Sequence, residues 1–129
     1  MFSCVPLAAV LADRLRASMQ LHDMHGIVPF GCGTDGVWVP AAPVFVNHVM
    51  RVSRYAQGNG FAKHRDNGFV FTDDLRSVMT VIVYLTDGHL GGKTVFYCAD
   101  PPVAVESKRG AGVFFNHDIW HEGLWRLLV

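Results

Sequence analysis

From residue 77 to residue 117 the chain is a succession of short β-type runs, each cut off by a turn. This texture restricts the fold more than any other feature. The run "SVMTVIVYL" (77–85) alternates cleanly, with Met79, Val81, Val83 and Leu85 on one face and Thr80, Ile82 and Tyr84 on the other. The turn "DGHLGG" (87–92) and the run "KTVFYC" (93–98) follow it. Then "VAVES" (103–107), "KRG" (108–110) and "AGVFFNH" (111–117) read as strand, turn and strand, while "VMRVSRYA" (49–56) alternates only in part. Many short strands in sequence predict an antiparallel sandwich or barrel.

Upstream the periodicity changes. In "PLAAVLADRLRASM" (6–19), Leu7, Val10, Leu11, Leu15 and Met19 approach helical spacing, and Pro6 suits a first helical turn. An amphipathic helix supporting one sheet is expected. Residues 26–43, with "GCGTDG" and "PAAP", predict a turn-filled connection or short hairpin. No internal repeat or long linker divides the 129 residues, so a single domain over 1–129 is expected.

Eleven basic and eleven acidic residues leave no basic footprint for nucleic acid and no acidic tail. Cys4, Cys32 and Cys98 form no CxxC pair and are odd in number, which favours a reducing compartment over a disulfide framework. "FSCVPLAAVLA" (2–12) lacks a basic lead and runs straight into "DRLR", so it reads as the start of a helix and not as a signal segment. No apolar run approaches the ~20 residues of a membrane span. A cytoplasmic protein with no membrane or nucleic-acid partner is expected, and the sequence leaves the oligomeric state open.

Seven histidines are many for this length, and histidine is the commonest metal ligand. "HRDN" (64–67) sets His64 and Asp66 two apart, and on a strand such side chains share a face. Joined by a distant histidine, they would make the two-histidine, one-carboxylate facial triad of non-haem Fe(II) oxygenases, with coordination positions left open. The bland alternative is an exposed polar pair. "FNHDIWHEG" (115–123) supplies two further histidines, His117 and His121, which on a helix would instead form an i, i+4 zinc pair. The aromatics and the closing Gly123 suit strand and turn better than helix.

Several of these motifs stand in a familiar order: "YAQGNGFAKHRD" from Tyr55, "RSVMTVIVYLTDGHLGGKTVF" from Arg76, then "VESKRGAGVFF" and "HDIWHEG". Together, over roughly residues 49–123, they resemble the prolyl 4-hydroxylase-type family of 2-oxoglutarate- and Fe(II)-dependent oxygenases. Its pattern runs Y-x-x-G-x-x-F-x-x-H-x-D, a Y-L-(N/T)-D strand, G-G-x-T-x-F and H-x-G. The resemblance implies a mainly β double-stranded β-helix, or jelly roll, with the metal site at the barrel mouth. It implies His64, Asp66 and His121 as Fe(II) ligands, leaving His117 behind them or on the surface. It also implies Tyr55, Tyr84 and Thr94 as contacts of the co-substrate 2-oxoglutarate, with ordinary core packing as the alternative for each. Ascorbate would keep the iron reduced. The implied reaction hydroxylates an unactivated C–H bond with release of succinate and CO₂. The substrate would be a peptide, protein or small molecule, and family likeness suggests a peptidyl proline.

The sequence departs from that pattern near its end. The family carries a Lys or Arg roughly ten residues past the distal histidine, as a charge-assisted partner to the co-substrate carboxylate, and that place falls beyond Val129. Arg126 has the wrong spacing. Loss of such a contact costs about 1.5–3 kcal/mol. The family's closing strand is therefore expected to be missing here, with substitution by Arg126 as the alternative. Two other readings remain open: a metal-binding jelly roll without catalysis, and a cupin-like metalloenzyme that does not use 2-oxoglutarate.

Overall fold

The structure is a computed structural model and describes residues 1–18, 46–72 and 75–125. The expected turn-filled connection at 26–43, Met19, Cys32 and Arg126 lie outside the described residues. Among the described residues one compact unit comprises 1–18 and 46–54, and a second comprises 55–72 and 75–125. The second is mainly β, built of antiparallel pairs, and the one described helix belongs to the first. No helix among the described residues is long and apolar enough to cross a membrane.

In the first unit, β1 (Phe2–Ser3) pairs antiparallel with β2 (Val49–Met50), Phe2 opposite Met50. The run 49–56 is thus a strand only at its first two residues. Helix α1 (Val5–Ser18) follows β1 directly, and Ala8 N–H donates to the Cys4 carbonyl in its first turn. Arg16 in the last turn complements the helix dipole and pairs with Asp13 at 2.6 Å. The buried face differs from the expected one. Ala8 and Ala12 are buried and Leu11 and Leu15 half-buried, whereas Leu7 and Val10 are exposed. The buried stripe follows the i, i+4 row through two alanines. Leu7 and Val10 fall to one side of that row.

In the second unit, β3 (Phe61–His64), β10 (His121–Gly123), β7 (Thr94–Phe96) and β8 (Val103–Val105) form one antiparallel sheet in that order. β6 (Met79–Val83) pairs with β9 (Gly112–Asn116), and Thr80 stands opposite Phe115. β4 (Val70–Thr72) pairs antiparallel with β5 (Leu75–Arg76). The "KRG" turn forms as expected. Ala111 N–H donates to the Lys108 carbonyl, and Gly110 takes the positive φ of 82° that such a turn requires.

The Thr80–Phe115 face of the β6–β9 pair looks onto the four-stranded sheet. The Phe115 ring lies 4.9 Å from that of Phe96 and 4.6 Å from that of His121. Phe96 and Phe115 are nearly fully buried, and each contributes about 1.5–3 kcal/mol of burial. The side chains that carry the site project into this same layer.

Candidate metal centre

His64 is the last residue of β3 and His121 the first of β10, and the two are direct partners in the antiparallel register. Asp66 comes later than expected from a shared strand face. The strand ends at His64, and the carboxylate is brought back to the histidines by the chain that follows. It is held there from the opposite pair, because Thr80 Oγ1 donates to Asp66 Oδ2 at 2.6 Å. Asp66 Oδ1 lies 3.4 Å from His64 Nε2, and Oδ2 lies 3.9 Å from His121 Nε2.

One nitrogen or oxygen from each of the three residues lies within 4.8 Å of the others, the one such group of His, Cys, Asp or Glu side chains among the described residues. Metal bonds to nitrogen and oxygen run about 2.0–2.2 Å, so donors at right angles on one ion stand about 3 Å apart. The three side chains are a small contraction from that spacing.

The donor chemistry fits a divalent ion with mixed N and O preference. His64 Nδ1 is 2.8 Å from the Ala62 carbonyl, and His121 Nδ1 is 3.1 Å from the Ile119 carbonyl. A carbonyl can only accept, so each neutral ring carries its proton on Nδ1 and presents a bare Nε2 lone pair to the centre. Two neutral nitrogens and one carboxylate make a facial set suited to Fe(II), with positions to spare for other ligands.

Aromatic side chains hold the rings. Phe96 stacks on His121 with centroids 5.9 Å apart, Phe115 meets it edge-on, and Phe61 touches both His64 and His121. The His121 side chain is 3 % exposed, Asp66 26 % and His64 44 %, so the centre is sealed behind His121 and open beside His64. Gly123 is required by this arrangement, because a Cβ there would fall on the Phe61 ring. A Cβ at Gly60 would strike the Gly123 carbonyl oxygen.

His117 does not join the cluster. It sits in the turn between β9 and β10, so the helical pair with His121 does not form. A surface position is also wrong: His117 is 3 % exposed, and its buried Nδ1 has no hydrogen-bond partner. It continues the alternation that buries Phe115.

Tyr84 and Thr94 are brought together, the phenol donating to Thr94 Oγ1 at 3.0 Å. Thr94 is 4 % exposed and pairs with Gly123, two residues along β10 from His121. Tyr55 packs on Phe61, with ring centroids 5.8 Å apart, and so reaches the histidines at one remove. Sequence reasoning did not find Thr80 as the partner of Asp66. Its alternation with Ile82 and Tyr84 in the run 77–85 was the available signal.

The other face of the four-stranded sheet carries a separate polar cluster. Lys63 Nζ lies 3.6 Å from the centroid of Tyr97, Arg65 lies over Trp120, and the Tyr97 hydroxyl donates to Glu122. That hydrogen bond to a carboxylate raises the Tyr97 pKa above its ordinary value of 10.0, with desolvation and the charge of Glu122 acting the same way. Trp120 thus covers the back of the ligand-bearing strands, while Trp125 is largely exposed.

The family model described as the 2OG-Fe(II) oxygenase superfamily matches residues 50–125, which contain every member of the candidate centre. No curated protein and no solved structure matches the chain.

Proposed function

Because this chain belongs to the 2OG-Fe(II) oxygenase superfamily, whose cofactors are Fe(II) and 2-oxoglutarate, we propose that it hydroxylates an unactivated C–H bond and turns 2-oxoglutarate and O₂ into succinate and CO₂. The observation that carries this reading is the convergence of His64, Asp66 and His121 on one point, with both Nε2 atoms free to coordinate. Bound there, Fe(II) would supply the activation of O₂ that no side chain can provide.

The chain's own part is binding, orientation and exclusion of water. His64 and His121 offer nitrogen and Asp66 offers oxygen, while Phe61, Phe96 and Phe115 fix the rings and keep that side of the centre dry. Thr94 lies two residues along its strand from Phe96, the partner of His121, or about 7 Å at strand rise. A five-carbon dicarboxylate spans such a distance. Its 2-oxo acid end would meet the metal ligands, and its far carboxylate would take hydrogen bonds from Thr94 and Tyr84. Tyr55 would close the same pocket from the Phe61 side. The two facing β layers suit a jelly roll with the centre at its mouth.

The finer reading is of the prolyl 4-hydroxylase type, acting on a peptidyl proline with ascorbate keeping the iron reduced. The motif order around Tyr55, Thr94 and His121 supports it. The deciding experiment measures succinate release from 2-oxoglutarate by the Fe(II)-loaded protein, with and without proline-containing peptides and ascorbate. Release that needs both Fe(II) and 2-oxoglutarate is expected, and coupling to a peptide would identify the substrate class. Metal binding with no succinate release under any condition would reduce the protein to a metal-holding module.

A further inference from the structure

Asp66 has two carboxylate oxygens, and the chain treats them differently. Oδ2 accepts a 2.6 Å hydrogen bond from Thr80, which comes from β6 on the opposite layer, and stands 3.9 Å from His121 Nε2. Oδ1 has no such tether among the described residues and lies nearer to a ligand nitrogen, 3.4 Å from His64 Nε2. Asp66 needs such a tether because it lies past the end of β3, where no strand pairing fixes it. Thr80 is itself fixed, since the β6–β9 pairing continues on both sides of it and sets it opposite the buried Phe115.

Resting on the metal-centre reading above, we infer that Thr80 is a positioning residue which engages one oxygen of Asp66, so that the carboxylate binds the ion through the other oxygen alone. The consequence concerns coordination number. A facial triad leaves three of six octahedral positions open only if its carboxylate is monodentate. A carboxylate free to rotate can bind through both oxygens and occupy one of those positions. Thr80 therefore keeps open the place that a chelating 2-oxo acid and a third ligand would need together. Partners of metal-bound carboxylates commonly govern affinity to this degree, with losses of ~10–100-fold when they are removed.

The test uses Mn(II) and the full 129-residue chain. Binding is measured for the parent protein and for Thr80→Val, Thr80→Ala and Thr80→Ser, and the waters on bound Mn(II) are counted from line broadening by ¹⁷O-labelled water. Thr80→Val should bind ~10–100-fold more weakly and carry fewer waters, while Thr80→Ser, which keeps the hydroxyl, should restore both. If Thr80→Val does not fold, the comparison of Ala with Ser decides in the same way. Parent-like affinity and water count in the variants lacking the hydroxyl would overturn the inference and leave the metal centre standing. A Thr80→Ser protein as defective as Thr80→Val would also overturn it, since packing of the methyl group would then be the cause. Absence of Mn(II) and Fe(II) binding by the parent would overturn this inference and the proposed function together.

Discussion

His64 and His121 stand directly opposite each other across the antiparallel β3–β10 pair, with ring centroids 4.4 Å apart. Two imidazoles at a cross-strand position would ordinarily be an indifferent pairing. Here each has its Nδ1 committed to a backbone carbonyl two residues earlier, so the Nε2 atoms share one centre with Asp66.

Replacing His64, Asp66 or His121 by alanine should each weaken Fe(II) or Mn(II) binding by more than ~100-fold, exceeding the loss typical of supporting residues. His117→Ala should leave metal affinity within about threefold while lowering stability by about 1–3 kcal/mol, because a buried side chain is removed. Isothermal titration and thermal melts separate the two effects. Loss of metal in His117→Ala equal to that in His121→Ala would show that the third ligand is misassigned.

Gly123→Ala should displace Phe61 from the two histidines, costing about 1–3 kcal/mol by overpacking and weakening metal binding with it. Gly60→Ala should be worse, because its Cβ meets a backbone carbonyl that cannot move aside as a ring can. A Gly60→Ala protein with parent stability in urea would contradict the close approach of β3 and β10.

Thr94→Val and Tyr84→Phe each remove one member of a hydrogen-bonded pair, and Tyr55→Phe removes a phenol beside Phe61. Each should weaken 2-oxoglutarate binding to the metal-loaded protein by roughly three- to tenfold, as for a hydrogen bond worth ~0.5–1.5 kcal/mol. Metal affinity should stay the same. Unchanged co-substrate affinity in all three would leave these side chains as packing alone.

Tyr97 should ionise above the ordinary phenol value of 10.0 in an ultraviolet titration, since its hydroxyl donates to Glu122. A folded-state pKa above the unfolded value stabilises the protein while the phenol is protonated, and this contribution is lost as pH rises past 10.0 and through the raised value. Glu122→Gln should bring the titration back toward the ordinary range. A Tyr97→Phe protein that retains a late-titrating phenol would show that the shift belongs elsewhere.

The strands were readable because each run from Ser77 to His117 is short, rich in β-branched and aromatic residues, and cut off by a turn of glycine, proline or charged residues. The buried face of α1 was not legible, because the larger apolar residues Leu7 and Val10 are exposed while the two small ones, Ala8 and Ala12, are buried. Nor could the sequence show that Asp66 leaves its strand. The tripeptide H-x-D looks the same whether the carboxylate is aligned by a pleat or by a hydroxyl fourteen residues away on another sheet. His117 was hard to judge for the reverse reason. Its neighbours Asn116 and Asp118 are polar, yet the alternation inherited from Phe115 turns it inward. Local pattern carried the strands, and long-range packing decided which polar side chains face the centre.

The sheet order β3–β10–β7–β8 puts the last described strand between two that are made earlier. Until β10 arrives, β3 and β7 present facing edges with no neighbour, and the first histidine waits without its counterpart. Folding that follows synthesis from the N-terminus therefore cannot prepare the centre piecemeal. A nascent chain halted before residue 121 would leave β3 with no strand partner and His64 without its counterpart. Completion of the sheet and competence for metal are, on this topology, one event.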